Sequence, residues 1–256
     1  MTSGTPLGGA VALVTGASSG IGEATALALA QRGASVAIAA RRIDRLEQLA
    51  ARIREGAGAT ALAIEADLTD AAQARAAVER TVSELGRLDI MINNAGMMLL
   101  GSVVDADTDD WWRMLDINVR AVLHCAHAAL PHLLAAAQDS PREVADMVNV
   151  SSVAGRYPRR GSAVYNLTKF GVGAFSESLR QEVGGRRVRV SLVEPGATAT
   201  ELRSHNRPEI QEAQAQRFAG LTTMTAPDIA DTILFIVTRP WHVAINEVLI
   251  RPTEQE

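Results

Sequence analysis

Short apolar runs rich in Val and Ile alternate with longer stretches of helical period along the whole chain. The runs that predict strands are 11–15, 35–40, 60–65, 88–93, 145–150, 188–193 and 247–250. The stretches that predict helices are 21–32, 45–55, 71–85, 109–137, 163–183 and 228–238. Strands that are apolar on both faces and are each followed by a helix indicate a parallel sheet covered on both sides.

Seven such strands predict an α/β fold with one doubly wound, Rossmann-type domain spanning residues 1–256. No change of composition marks a second domain. The segment 138–142 is predicted to be a surface loop before the fifth strand. The segment 203–225 is polar, lacks strand character and follows a strand end, where loops that cover a substrate are found in such sheets.

The composition excludes several classes of protein but does not identify the function. Of the 256 residues, 47% are apolar and 21% charged, which excludes a disordered chain, and the net charge of −4 offers no attraction to nucleic acid or to an anionic membrane. The apolar stretch 121–137 is interrupted by histidines and a proline, so we expect no membrane span. The lone Cys125 and the lack of a basic N-terminal region, since Arg32 is the first basic residue, favour a cytoplasmic protein.

A glycine-rich turn follows the first predicted strand. Gly16, Gly20 and Gly22 have the spacing Gly-x-x-x-Gly-x-Gly and open the first predicted helix. Small residues there allow the backbone to approach a pyrophosphate, which the free N–H groups of a helix N-terminus attract. The alternative is a tight strand–helix connection without a ligand.

The second predicted strand indicates which dinucleotide is bound. It ends at Ala40, where NAD enzymes carry an acidic residue for the ribose hydroxyls, and Arg41 and Arg42 follow. A guanidinium is suited to a 2′-phosphate, so NADP(H) is the predicted cofactor. A solvated basic pair at a helix start is the alternative.

A phenol and an ammonium, Tyr165 and Lys169, lie four residues apart in a predicted helix and therefore share one face. A nearby cation favours the phenolate, so Lys169 is expected to lower the pKa of Tyr165 towards the working range of an acid–base catalyst. Polar residues, among them Asn93 and Ser152, end neighbouring strands. These ends meet at the edge where ligands bind in such a sheet.

Over essentially its whole length, the sequence resembles the short-chain dehydrogenase/reductase family. The matching segments are 15–22, Asp67-Leu68, 93–96, Asn118, Ser152, Tyr165 with Lys169, and Pro195-Gly196. The resemblance implies a cofactor half at about 1–150 and a catalytic half at about 151–256, assembled as a homotetramer or homodimer. A closer similarity is to the NADP-dependent subgroup of clavulanic acid dehydrogenase-like enzymes.

The resemblance also implies the site residues. The catalytic residues would be Asn118, Ser152, Tyr165 and Lys169. The cofactor residues would be Gly16, Ser18, Ser19, Gly20, Ile21, Gly22, Arg41, Arg42, Asp67, Leu68, Asn94, Ala95, Gly96, Tyr165, Lys169, Pro195, Gly196, Thr198 and Thr200. Ser19 stands where the family often has a basic residue. Residues suggested for the substrate are Met97, Met98, Arg156, Tyr157 and the segment 203–220.

By the same resemblance, Tyr165 would protonate a carbonyl oxygen while hydride arrives from the nicotinamide. Lys169 would also hold the nicotinamide ribose, Ser152 would bind the substrate oxygen, and Asn118 would position a water. Asp67 would bind the adenine amino group. Asn94 would support the adenine pocket, and Thr200 would reach the carboxamide.

The predicted function is NADPH-dependent reduction of a small aldehyde or ketone, or the reverse oxidation of an alcohol. A dinucleotide-binding regulatory protein without turnover and an epimerase or dehydratase remain alternatives, because a fold alone does not establish chemistry. His124 and His127 have no further ligand nearby in sequence, so no metal is predicted. Arg186, Arg187 and Arg189 are interpreted as a solvated entry to a strand.

Overall fold

The computed structural model describes residues 5–255, and seven of its strands form one parallel sheet. The strands are β1 (Val11–Thr15), β2 (Ser35–Ala40), β3 (Ala61–Glu65), β4 (Ile90–Asn93), β5 (Ala145–Val150), β6 (Val188–Pro195), β7 (Thr198–Ala199), β8 (Met224–Thr225) and β9 (Glu247–Ile250). The sheet order is β3-β2-β1-β4-β5-β6-β9, and the short strands β7 and β8 pair with each other. The predicted seven-stranded, doubly wound parallel sheet is confirmed.

Helices cover both faces of this sheet. They are α1 (Gly20–Gln31), α2 (Ile43–Ala57), α3 (Ala71–Leu85), α4 (Thr108–Leu115), α5 (Ala121–Asp139), α6 (Ala163–Val183), α7 (Pro208–Arg217) and α8 (Ala226–Val237). Val14 packs in one apolar cluster with α1, α2 and α8, and its neighbour Leu13 packs in the other with α3, α5 and α6. This alternation explains why the strands are apolar on both faces. Within residues 5–255, no helix is long and apolar enough to cross a membrane.

Buried amide groups tie α6 to the carboxyl half of the sheet. The Nδ2 atom of Asn93 donates to Asn149 Oδ1 at 2.8 Å, and Asn149 Nδ2 donates to Ser176 Oγ on α6 at 2.8 Å. Near the N-terminal part of α6, the Ser151 hydroxyl donates to the carbonyl oxygen of Lys169 at 3.1 Å. Because buried polar groups are expensive to leave unpaired, these bonds fix the helix that carries Tyr165 against β4 and β5.

The segment after β7 differs from the prediction of a loop. A 3₁₀ turn, Glu201–His205, leads into α7, and we call residues 201–223 the cap segment. Pro208 is the first residue of α7, a position where its fixed φ favours a helix. The helix was missed because it buries no residue fully and therefore shows no apolar period.

Two further boundaries differ from the prediction. A π-helical turn, Asp116–Arg120, separates α4 from α5, so the predicted helix 109–137 is interrupted. The helix α5 ends at Asp139, which shortens the predicted loop 138–142. Inserting one residue into a helical turn shifts the following face, and such turns are common at functional sites.

Arg189 is buried, so its interpretation as a solvated residue was wrong. Its Nε and Nη2 atoms donate to the two carboxylate oxygens of Asp146 at 2.7 and 3.0 Å, and Arg142 binds the same carboxylate. The remaining Arg189 Nη1 donates to three backbone carbonyls in the turn after α8. An arginine at a strand start can enter the interior because its partner stands on the neighbouring strand, which sequence adjacency does not reveal.

We expect Arg189→Leu to lower the free energy of unfolding by roughly 3 kcal/mol or more, because it leaves a buried carboxylate with one of its two partners. The matched control is Arg186→Leu, which removes an exposed arginine three residues earlier. Urea denaturation of both variants measures the difference. Equal losses would show that the buried ion pair does not contribute to stability.

Candidate functional site

A pocket of about 450 Å³ opens at the carboxyl edge of the sheet. Every predicted cofactor residue except Gly22 lines it, and so do the predicted catalytic residues except Asn118. The structure therefore brings together side chains from both halves of the chain, as expected for strand ends in a parallel sheet.

The glycine-rich turn has the shape that an approaching phosphate requires. Gly16 has a φ of +64°, and a Cβ atom there would lie 2.7 Å from Ala95 Cα on the neighbouring loop. The helix α1 then begins at Gly20, and Ser19 at its N-cap makes no side-chain capping bond. The first N–H groups of α1 consequently remain available to an anion, so these residues fit a pyrophosphate.

Hydrogen bonds between the ends of β1 and β4 hold this turn in place. Thr15 Oγ1 donates to Ile92 O at 3.0 Å and accepts from Asn94 N at 2.9 Å. Asn94 Nδ2 donates to Thr15 O at 2.9 Å. A Cβ atom on Gly22 would lie only 2.5 Å from Asn94 Nδ2, so this hydrogen bond requires glycine at position 22. Gly22 therefore packs against Asn94 on the side of the turn that faces away from the pocket, which explains why Gly22 does not line the pocket.

The two arginines after β2 differ in what they bind. Arg42 donates to Ser18 Oγ and Ser19 Oγ at 2.9 Å and forms an ion pair of 2.9 Å with Glu201. Glu201 also pairs with Arg45 at 2.6 Å. Arg41 lines the pocket and forms no ion pair within residues 5–255. Arg41 is thus the guanidinium available to a 2′-phosphate, whereas Arg42 is partly neutralised.

Glu201 is a site residue that sequence reasoning missed. Arg45 and Arg42 hold the pKa of its carboxyl at about 2, well below the usual value, so Glu201 is ionised at neutral pH. Its ion pairs join the cap segment to the start of α2, 159 residues away in the sequence from Arg42. No motif or spacing signals a pair at such a separation.

Asp67 lies two residues after the end of β3 and is held by a local turn. Its Oδ1 atom accepts hydrogen bonds from Thr69 N at 3.0 Å and Thr69 Oγ1 at 2.8 Å. Its Oδ2 atom accepts none from the residues that the structure describes. A fixed carboxylate with one unused oxygen on the pocket wall fits an amino group, such as that of adenine.

Tyr165 and Lys169 lie one turn apart on α6, both buried in the pocket wall. The Lys169 Nζ atom lies 5.8 Å from the centre of the Tyr165 ring and donates to Val150 O at 3.0 Å. Burial lowers the pKa of Lys169 to about 8. Burial raises the pKa of Tyr165 to about 12, although hydrogen bonding with Ser152 opposes the rise. Loss of hydration thus sets the direction of the Tyr165 pKa shift in this structure, opposite to the lowering expected from Lys169.

Asn118 lies behind the pocket wall, in the π-helical turn. Its Oδ1 atom accepts from Met97 N at 2.8 Å, and its Nδ2 atom donates to Met97 O at 2.8 Å. A Cβ on Gly96 would lie 3.3 Å from Asn118 Oδ1 and 3.7 Å from Lys169 Nζ. The missing side chain of Gly96 thus leaves a small space between a hydrogen-bond acceptor and an ammonium.

The suggested substrate residues divide into two groups. Met97 and Met98 line the pocket, as does part of the cap segment. Arg156 instead binds the buried Glu194, at 2.8 Å from Oε2, and Glu247, while Tyr157 lies outside the pocket beneath Arg251. The structure thus places neither residue in the pocket lining, and Arg156 has carboxylate partners on β6 and β9 that the sequence does not bring near it.

Comparisons with known proteins agree with this geometry. Residues 10–211 match the family model described as short chain dehydrogenase. The chain is 37% identical over 250 residues to the glycine betaine reductase of Emericella nidulans, covering 98% of this chain and 19% of that much longer protein. The narrower assignment to the clavulanic acid dehydrogenase-like subgroup stays a prediction.

Two solved structures share the fold along almost the whole chain. The short chain dehydrogenase from Burkholderia cenocepacia in complex with NADP has a TM-score of 0.83 and 34% identity, covering 96% of this chain and 97% of its own. The 3-ketoacyl-(acyl-carrier-protein) reductase from Brucella melitensis complexed with NADH has a TM-score of 0.83 and 28% identity, covering 96% and 98%.

Burial of Lys169 predicts a specific dependence of stability on pH. Its pKa is 10.5 when unfolded and about 8 when folded, so between these values the unfolded chain holds a proton that the folded chain lacks. Raising the pH through this window therefore stabilises the folded state, at on the order of 1 kcal/mol per pH unit. Lys169→Met removes this contribution.

We expect the free energy of unfolding of the wild type to rise relative to that of Lys169→Met between about pH 8 and pH 10.5. Urea denaturation of both proteins across this range measures the difference, and all other titrating groups are common to both. A difference that stays constant with pH would show that Lys169 keeps its usual pKa in the folded state.

Proposed function

Since the chain belongs to the short-chain dehydrogenase family and is therefore an oxidoreductase, we propose that it reduces an aldehyde or ketone with NADPH, or oxidises the alcohol in reverse. The observation that carries this proposal is a buried, protonated phenol, Tyr165, that shares one pocket with the glycine-rich turn and with Lys169. A phenol in this state is a proton donor placed where water is largely excluded.

The residues of the pocket fit NADP(H) in three places. The turn at Gly16 and the N-terminus of α1 would hold the pyrophosphate, and Asp67 would hold the adenine amino group. Arg41 would bind the 2′-phosphate, since Ala40 offers the ribose no acceptor. The NADP complex of the Burkholderia relative supports this assignment. When bound, the nicotinamide supplies the hydride for the carbonyl carbon.

Proton transfer is the part of the reaction that the chain itself performs. We assign to Ser152 the hydrogen bond that positions the substrate oxygen beside Tyr165. The O–H bond of the phenol breaks as the O–H bond of the product alcohol forms, which leaves a phenolate on Tyr165. The raised pKa of Tyr165 keeps the proton in place until the substrate oxygen gains charge.

Lys169 and Asn118 would restore that proton. The ammonium of Lys169 stabilises the phenolate and, with a pKa of about 8, can release a proton near neutral pH. The space beside Gly96 would hold a water between Lys169 Nζ and Asn118 Oδ1, which connects the buried ammonium to further proton carriers. Thr200, Pro195, Gly196 and Thr198 would close the pocket around the nicotinamide end.

We also propose a homotetramer or homodimer assembled through α5 and α6. Three large apolar side chains on these helices are exposed to solvent: Leu123 on α5 at 40%, and Leu167 and Phe170 on α6 at 59% and 43%. An exposed apolar face of this kind marks an interaction surface. We further propose a cytoplasmic location, which the single Cys125 supports because one cysteine cannot form an internal disulfide.

Tyr165→Phe tests the proposed proton donor. We expect kcat to fall by about 10²–10⁴-fold while the Kd for NADPH is unchanged, because the ring remains and the transferable proton is lost. Tyr157→Phe is the matched control, since Tyr157 lies outside the pocket and should keep full activity. The assay follows NADPH oxidation with a panel of aldehydes and ketones.

A kcat close to the wild-type value in Tyr165→Phe would contradict the assignment of the proton donor. If the wild-type protein binds NADPH and reduces none of the panel, the result favours a regulatory protein that binds the dinucleotide without turnover.

Arg41→Ala tests the choice of cofactor. We expect the wild type to prefer NADPH over NADH by at least about tenfold in kcat/KM, because a hydrogen bond to a charged group contributes roughly 1.5–3 kcal/mol. Arg41→Ala should remove most of this preference by raising the KM for NADPH alone. Arg32→Ala, which replaces an exposed arginine outside the pocket, is the control. An equal loss of kcat/KM with NADPH and NADH in Arg41→Ala would show that Arg41 does not bind the 2′-phosphate.

A further inference from the structure

Part of the pocket lining comes from the cap segment, which the hydrogen bonds of a buried asparagine hold in position. Asn206 is buried, and its Oδ1 atom accepts from Leu100 N at 2.7 Å. Gln211 Nε2 donates to Asn206 O at 2.7 Å, which joins α7 to the same anchor. The side chains of the cap segment that line the pocket therefore occupy defined positions, and Met97 and Met98 line the same pocket.

Arg203 is the notable side chain on this wall. The described arginines that are buried or half-buried are Arg87, Arg142, Arg180, Arg189, Arg203 and Arg239. All the others in this group donate hydrogen bonds to carboxylates, carbonyls or a hydroxyl, whereas within residues 5–255 Arg203 donates none. Its guanidinium instead stacks on Phe218, 4.5 Å from the ring centre. A half-buried guanidinium that donates to no protein group has all its N–H donors available to an acidic ligand.

Among the described residues, no carboxylate of the pocket forms an ion pair with Arg203. The described residues that line the pocket include two acids, Asp67 and Glu201. Both oxygens of Glu201 are taken by Arg42 and Arg45, and Asp67 is held in its own turn. Burial accordingly lowers the pKa of Arg203, with no acidic group to offset it.

Two residues near Arg203 also offer polar groups to a ligand. The side-chain oxygen of Gln214 on α7 is buried at the pocket wall without a hydrogen-bond partner among residues 5–255. Because the oxygen and nitrogen of an amide side chain can exchange places by a simple flip, either orientation leaves a polar atom to satisfy. Arg217 adds a second guanidinium to the same aromatic ring, 5.5 Å from its centre.

We propose that the substrate of this reductase carries a carboxylate, bound by Arg203 with help from Arg217, and a polar group that meets Gln214. The inference rests on the proposed function and specifies its substrate class as small oxo acids and their hydroxy-acid products. Phe218 holds the Arg203 guanidinium in place by stacking, so the planar fork is ready to bind a carboxylate through two parallel hydrogen bonds.

Binding to the NADPH-saturated, full-length protein tests the proposal without turnover, because a hydroxy acid cannot be reduced further by NADPH. Isothermal titration calorimetry compares short-chain hydroxy carboxylates with their methyl esters, which differ in charge and little else. We expect the acids to bind at least about tenfold more tightly than the esters. Arg203→Leu should abolish this difference, while Arg203→Lys should retain part of it.

The matched control is Arg207→Leu, on the same cap segment but outside the pocket, which should leave the preference for acids intact. The Kd for NADPH should be the same in all variants. Equal affinity of the wild type for acids and esters overturns the proposal, as does a loss of NADPH affinity in Arg203→Leu, which would assign the guanidinium to the cofactor. Tighter binding of the matching phosphate monoesters would overturn the assignment to a carboxylate.

Reduction assays with the corresponding oxo acids and oxo esters separate the two proposals. Oxidation of NADPH with esters and acids alike, unaffected by Arg203→Leu, overturns the carboxylate inference and leaves the proposed reductase function standing. Binding of acids through Arg203 with no NADPH oxidation by any carbonyl compound would instead contradict the proposed function.

Discussion

The site depends on an ammonium that is buried beside a buried phenol. Lys169 is kept in the wall of the pocket by one hydrogen bond to the carbonyl of Val150, and its neighbour Tyr165 is almost entirely shielded from bulk water. Burial disfavours both charged forms, so the amine becomes a weaker base and the phenol a weaker acid than either is in water. A protonated donor and a proton source near neutrality are thereby placed one helical turn apart.

The surrounding structure holds Tyr165 and Lys169 in place and forms the pocket around them. Buried amides, Asn93 and Asn149, fix α6 to the sheet, and the π-helical turn directs Asn118 towards the backbone of Met97. Because the sheet is parallel, the glycine-rich turn after β1 lies at the same carboxyl edge of the sheet as Tyr165 and Lys169. The cap segment completes the enclosure, and its ion pairs through Glu201 connect it to the helix that follows β2.

Much of the fold was predictable because each central strand is apolar on both faces and each crossover has a clear helical period. The polar residues at strand ends were equally visible, and the resemblance to the short-chain dehydrogenase/reductase family that they carry supplied the candidate cofactor residues. What could not be predicted depends on pairs far apart in the chain or on helices without an apolar face. Arg189 is buried only because Asp146 lies on the next strand, and α7 is too exposed to show a period. The burial that raises the pKa of Tyr165 likewise follows only from the packed structure.

Titration of Tyr165 by ultraviolet absorbance tests the central claim most directly. The chain has two tyrosines, so Tyr157→Phe leaves the phenol of Tyr165 as the one that can ionise. In the protein without cofactor, we expect this phenol to remain protonated beyond its ordinary pKa of 10, towards a value of about 12. Ionisation at or below pH 10 would contradict the account, because it would show that the cation rather than burial sets the state of the proton donor.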